Sequence, residues 1–242
     1  MKLLKFLFTL TIFSSFLGTA CAQLTKQKDS FTRADTLRGM LTPLRTCYDI
    51  DYYHLDVKIN IDERTITGSN EFAFTATQDF KKLQFDLFEN MSVEKVVFKG
   101  KSLPFTREFN AVFVDFPATV KKGSKNSFTV YYGGKPTVAK QAPWDGGFVF
   151  SQDASGKPWV AVATQGFGAS SWWPTKDHQS DEVDSMLISI SVPNGLMNVS
   201  NGRLRSAEPL RDGFTKYNWF VGSPINKYNV SVNIADFAHF SD

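Results

Sequence analysis

The sequence contains only two cysteines, Cys21 and Cys47, among 242 residues. Cys21 lies just after the N-terminal apolar run, and processing there leaves one thiol. No internal disulfide framework is then possible, so a hydrophobic core must hold the chain together. Histidine is almost as scarce. His54, His178 and His239 stand apart and no H-E-x-x-H pair occurs, so the chain is expected to hold no metal, because zinc needs several ligands converging on one ion. A G-x-S-x-G nucleophile elbow and a Gly-rich phosphate loop are both missing. Basic residues form no block longer than pairs such as Lys81-Lys82 and Lys121-Lys122, and the net charge is +3. That pattern carries no footprint for nucleic acid. There is no repeat of fixed period, which argues against a propeller or solenoid, and no apolar i, i+3, i+4, i+7 stripe long enough for a substantial helix.

One long apolar run is present. It extends from Phe6 to Leu17, follows Lys2 and Lys5, and ends in the small-residue sequence "GTACAQ". This is the pattern of a signal peptide over residues 1–22, with Ala20 and Ala22 forming an A-x-A site before Gln23. The alternative is a lipid anchor on Cys21, although Gly18 stands where a branched apolar residue is usual. The run is too short for an ordinary membrane span. Either processing route predicts an exported protein, periplasmic or extracellular. Residues 23–45 are polar and aperiodic and read as a flexible leader. A β-domain is expected over 46–242.

From Tyr53 the pattern changes. In "YHLDVKINI", Leu55, Val57, Ile59 and Ile61 alternate with polar residues, the period-two signature of a half-buried strand. "DERTITG" turns the chain and "SNEFAFTA" alternates again, which predicts a hairpin. Similar runs recur in "KLQFDL", "VEKVVF", "AVFVDF", "SFTVYY", "GGFVF", "WVAVA", "MLISISV" and "FTKYNWF". Asn201-Gly202 reads as a two-residue hairpin turn. The fold class expected is all-β, with many short antiparallel strands in a sandwich or in a large curved sheet over a smaller one. The 23 phenylalanines suit the space between such sheets.

The densest cluster of chemical groups is "TQGFGASSWWPTKDHQSDEVDS", from Thr164 to Ser185. Ser170, Ser171, His178 and Asp177 could be neighbours in a nucleophilic site, but closeness in sequence is not triad geometry, and a solvated loop is the plainer expectation. Asp177, Asp181, Glu182 and Asp184 match no defined calcium loop. Trp144, Trp159, Trp172, Trp173 and Trp219 offer two readings. They are either a surface for stacking on sugars, making the chain a non-catalytic carbohydrate- or peptide-binding module, or packed interior rings.

The order of several segments narrows the choice. "YDIDYYHLDVKINIDERTITGSNEFAF", "VYYGGKP", a "TQ" followed by "WWPTKD", and "VPNGLMNVSNGRL" occur in succession. In this order they resemble the N-terminal β-domain of zinc aminopeptidases of the aminopeptidase N family, which includes leukotriene hydrolase, and in particular its exported bacterial branch. The resemblance implies a saddle of β-strands that precedes a thermolysin-like catalytic domain and forms one wall of a pocket for the N-terminus of a peptide substrate. Zinc would belong to the catalytic domain, whose motifs are absent from this chain; this chain, ending at "HFSD", is expected to be either a fragment of such an enzyme or a truncated gene product, without catalytic residues and inactive alone. In the family a T-Q-x-E loop directs its Gln and Glu at the substrate ammonium. Gln165 matches the Gln, while Phe167 stands where the Glu is expected, so both are candidate substrate-binding residues and Phe167 puts amine recognition by this loop in doubt.

Overall fold

In the computed structural model, residues 30–142, 144–164 and 166–238 are described. Two compact units divide the chain at Arg33, and of the first, residues 1–33, only 30–33 are described. The proposed signal peptide, Gln165 and His239 lie outside the described residues. Everything below concerns the second unit, Ala34–Asp242, apart from the first residue of one helix.

The unit is all-β, and its longest strands are those with the cleanest alternation. Strand β1 (Tyr48–Asn60) buries Leu55, Val57 and Ile59, and it pairs in antiparallel fashion with β2 (Thr65–Ala76) through the expected hairpin. Then follow β3 (Phe80–Asp86), β4 (Met91–Phe98), β5 (Lys101–Leu103), β6 (Phe105–Glu108), β7 (Ala111–Val120) and β8 (Lys125–Gly134). The second half supplies β9 (Gly147–Gln152), β10 (Pro158–Ala163), β11 (Ser185–Pro193), β12 (Met197–Val199), β13 (Arg203–Pro209), β14 (Phe214–Val221) and β15 (Asn233–Ala235). They form an eight-stranded sheet in the order β13-β14-β11-β1-β2-β8-β4-β5, a four-stranded sheet β12-β15-β10-β9 and a three-stranded sheet β3-β7-β6.

Two strand pairings differ from the sequence expectation. β1 and β11 run parallel, with Leu55 opposite Ile188 and Val57 opposite Ile190, because a chain excursion of more than a hundred residues removes the constraint of a tight turn. The Asn201-Gly202 step does not close a hairpin. β12 pairs with β15, whereas β13 pairs with β14, so the turn carries the chain from one sheet to another. Gly202 has the left-handed φ of 86° such a turn needs, and a Cβ there would lie 2.3 Å from the Phe220 carbonyl oxygen. The Asn201 side chain accepts hydrogen bonds from the Ser231 backbone N–H and hydroxyl, which ties the turn to the four-stranded sheet.

Phenylalanines fill the interior as expected. Phe72, Phe74 and Phe128 of the large sheet meet Phe80, Phe85 and Phe116 of the three-stranded sheet, with Phe72 stacked on Phe128 at 4.5 Å and Phe85 tilted against Phe72 at 5.5 Å. Offset and edge-on ring pairs of this kind add to the area they bury.

Residues inside the stretch 23–45, read from composition as a flexible leader, form helix α1 (Arg33–Gly39), and helix α2 (Pro43–Thr46) follows directly. Leu37 and Arg45 are buried. The reason is a tertiary partner: the Arg45 guanidinium lies 2.6 Å from the Asp86 carboxylate at the end of β3. No local pattern in polar sequence announces such a pair.

Candidate functional site

The segment after β10 is a long loop, and its course is set by buried polar anchors. Thr164 donates from its hydroxyl to the Tyr228 carbonyl at 2.7 Å, and its own carbonyl accepts from the N–H groups of Phe167 and Gly168, each at 3.0 Å. Gly166 and Gly168 adopt φ of 72° and 82° on either side of Phe167. A Cβ on Gly168 would meet the Asp177 carboxylate at 2.5 Å, so glycine is required there for close approach as well as for conformation.

A short 3-10 helix, Ala169–Ser171, leads into Trp172 and Trp173. These rings bridge the sheets. Trp172 is edge-on to Phe148 of β9, and Trp173 is edge-on to Tyr53 of β1 at 5.2 Å. Beyond them Thr175 exchanges two backbone hydrogen bonds with Asp86, and the Tyr53 hydroxyl accepts from the Lys176 N–H at 3.0 Å. Lys176 is buried, donates to the Tyr48 carbonyl and pairs with Asp181 at 2.5 Å. Lys227 donates to the Asp181 carbonyl oxygen. Burial holds the Lys227 ammonium below its ordinary pKa, opposed by the nearby carboxylates of Asp181 and Asp177.

Asp86 is the hub beneath the loop. One carboxylate oxygen accepts from Arg45 at 2.6 Å and from Gln84 at 2.9 Å; the other accepts from the Asp177 N–H at 3.0 Å. Burial pushes its pKa up to about 6, with Arg45 pulling in the opposite direction. Asp177 in turn accepts from the Ser170 N–H and hydroxyl at 3.0 and 2.6 Å.

Around this frame opens a cleft of about 690 Å³. Its walls include Arg38 and Gly39 of α1, Phe167, His178, Glu182 and Lys227. Phe167 is half-buried and tilts against Phe88, with ring centroids 5.9 Å apart. The position expected to carry a carboxylate is therefore an aromatic surface in the cleft. Gln165, its sequence partner, falls outside the described residues.

Other candidates resolve differently. The Ser170 hydroxyl is engaged by Asp177, and the Ser171 hydroxyl donates to the Gly168 carbonyl. His178 turns back on Ser180 through its Nδ1 at 2.8 Å, so these groups form no nucleophilic triad. Partial burial lowers the His178 pKa, helped by the charges of Arg45, Lys176 and Lys227. His54 is half-buried and bonds the Ser189 hydroxyl of the adjoining strand at 3.1 Å. Cys47 is buried, and desolvation pushes its thiol up to about 11, which keeps it protonated. Trp172 and Trp173 are 1% and 0% exposed, so they cannot form the sugar-stacking surface entertained for them; Trp144 at 81% is the most exposed tryptophan. Among the described residues no group of three or more His, Cys, Asp or Glu side chains could hold a metal ion. The donors among these residues therefore do not form a set that fits zinc. Among the same residues no helix is long and apolar enough to cross a membrane.

Arg38, Arg45, Asp86 and Phe88 were not legible as site residues. The first two lie in polar sequence with no motif around them, and the others are ordinary members of a strand and the turn that follows it.

The profile of the Peptidase M1 N-terminal domain family matches residues 50–228. No curated protein matches the chain. Among solved structures, the M1 zinc metallopeptidase from Deinococcus radiodurans superposes with a TM-score of 0.66 at 17% identity, over 78% of this chain and 42% of that one. A point mutant of that protein bound to a Tyr-Ser-Ala substrate gives a TM-score of 0.64 at 17% identity, with the same coverage of both chains. This chain thus spans less than half the length of those proteins, and the likeness at that identity concerns the fold. The family match extends from β1, through the cleft loop, to the Lys227 turn beside it, and on that match the chain belongs to the Peptidase M1 N-terminal domain family.

Proposed function

We propose that this chain forms one wall of the substrate pocket of a zinc metallo-aminopeptidase that removes N-terminal residues from peptides, and that it docks against a thermolysin-like catalytic domain of the same protein. The observation that supports the reading is the cleft bordered by Phe167, His178 and Lys227, on the loop to which the family resemblance assigns contact with the substrate's N-terminus. The described residues supply no ligand set for zinc. Bound in the catalytic domain, zinc would activate the hydrolytic water, and no step of that chemistry is assigned to this chain. Its own residues position peptide and exclude water. In keeping with the N-terminal targeting pattern, the protein is exported to the periplasm or beyond, either cleaved before Gln23 or lipid-anchored on Cys21; mass spectrometry of the mature N-terminus decides between these.

Purified residues 23–242 are expected to give no turnover of fluorogenic aminoacyl substrates. Metal-dependent turnover well above blank would overturn the assignment of catalysis to another domain. For binding, the tripeptide Tyr-Ser-Ala is a suitable probe, because a structural relative was solved with it. Phe167 offers no charge to a substrate ammonium, so free and N-acetylated Tyr-Ser-Ala should bind this chain with similar affinity. Phe167→Glu should favour the free-amine peptide over the acetylated one by roughly tenfold, the lower range for a charge-assisted hydrogen bond. Equal binding of both peptides by the variant, measured by calorimetry, would remove Phe167 from the amine-recognition position.

A further inference from the structure

The family match begins at residue 50, yet part of the cleft wall comes from earlier in the chain. Arg38 and Gly39 of helix α1 line it. From α1 the Arg38 Nη2 donates to two successive loop carbonyls, Gly166 O and Phe167 O, each at 2.8 Å. The same guanidinium lies 5.7 Å from the centroid of the Phe88 ring, and Phe88 is the ring against which Phe167 tilts. One side chain thus holds both the backbone of residues 166–167 and the aromatic surface behind Phe167.

Helix α1 is held at its C-terminal end by polar contacts. Gln84 donates to Leu37 O at 3.0 Å, and Arg45 donates to Arg38 O at 2.8 Å and to Met40 O at 3.3 Å. These bonds satisfy carbonyls that a helix end leaves without intrahelical partners. Beneath the helix lies a void of about 150 Å³ bordered by Leu37, Phe88, Ser170, Asp86 and Asp177. Leu37 is the one buried residue of the helix. With one buried side chain the helix contributes little to the core, and Arg38 connects it to the loop.

We propose that Arg38 is a positioning residue of the cleft: acting from a helix outside the family-matched region, it holds residues 166–168 in the conformation that presents Phe167 to a bound peptide. The loop role stands on the contacts above; only the effect on peptide rests on the pocket reading.

The test compares the full chain with Arg38→Ala and Arg38→Lys. Amide hydrogen exchange is followed in fragments spanning residues 164–171, where the N–H groups of Phe167 and Gly168 bond Thr164 O and that of Ser171 bonds Gly168 O. In Arg38→Ala these amides should exchange about tenfold faster or more, while fragments of β1 and β2 and the melting temperature stay unchanged. The lysine variant keeps the charge but lacks the planar group, and should restore only part of the protection. Affinity for Tyr-Ser-Ala should fall at least fivefold in the alanine variant, with the lysine variant between. Unchanged exchange in the loop overturns the proposal, as does a rise shared equally with β1 and β2, which would make Arg38 a general stabilising residue. If the unaltered chain binds no Tyr-Ser-Ala, the pocket reading fails while the exchange result still decides the role of Arg38.

Discussion

Asp86→Ala unfolds the domain about 3–5 kcal/mol more easily than the native residue at neutral pH, the range expected when one member of a buried ion pair is removed. Arg45 is 0% exposed, and Asp86 is the carboxylate that faces it at 2.6 Å. Its other bonds go to neutral carbonyls, Arg38 O and Met40 O. Removing Asp86 therefore takes away the ion-pair partner of a buried guanidinium, and it also frees the Asp177 N–H and removes one of the two hydrogen bonds of the Gln84 amide. Urea unfolding monitored by tryptophan fluorescence measures the loss. A double variant, Arg45→Met with Asp86→Leu, should recover much of it, because replacing both partners by apolar groups removes the uncompensated charge along with its desolvation cost. A loss below about 1 kcal/mol in the single variant would show that water or a rearranged neighbour replaces the carboxylate, at odds with the penalty for a buried charge left without its partner.

Trp173→Ala costs a comparable amount, about 3–5 kcal/mol. The ring is 0% exposed, edge-on to Tyr53 at 5.2 Å and 6.1 Å from Trp172, which continues the contact to Phe148. Through Tyr53 the series reaches Phe72 at 5.0 Å and so the phenylalanine core between the large and three-stranded sheets. Truncation opens a cavity at the junction of the sheets, beside Tyr53, which its own strand β1 holds in place. Trp144→Ala provides the contrast, since a ring 81% exposed should shift stability by no more than about 0.5 kcal/mol. Equal effects from the two substitutions, read from unfolding midpoints, would contradict the interior position of Trp173.

Both effects bear on the cleft because its loop hangs from these anchors. The backbone of Thr175 is hydrogen-bonded to Asp86, and the Trp pair sits between that point and the 3-10 helix after Phe167. A loop that must present a surface to a peptide is more precise when such supports are rigid. The residues most visible in the sequence, His178 and the nearby carboxylates, are instead occupied locally: His178 with Ser180, Asp177 with Ser170, and Asp181 with Lys176.

How far the site could be read in advance differs from residue to residue. Phe167 is singled out only by the family resemblance, as the residue standing where an acid is expected; in the structure it is one of the residues around the cleft. Arg38 could not have been found that way, because it reaches the loop across 128 positions of sequence and follows no periodic pattern. Trp172 and Trp173 illustrate the intermediate case. Composition allowed either a surface or an interior, and burial against Phe148 and Tyr53 settles it.

By itself, the sequence determined the all-β class, the β1–β2 hairpin and which side of β1 faces inward, since side-chain alternation is a property of the strand alone. It also carried the family in the order of its segments. Only the tertiary structure decided the parallel pairing of β1 with β11, the passage of the Asn201-Gly202 turn between sheets, the interior place of the two tryptophans and the burial of Arg45 against Asp86. Each of these joins residues far apart along the chain, so its energy comes from a partner that no local pattern specifies.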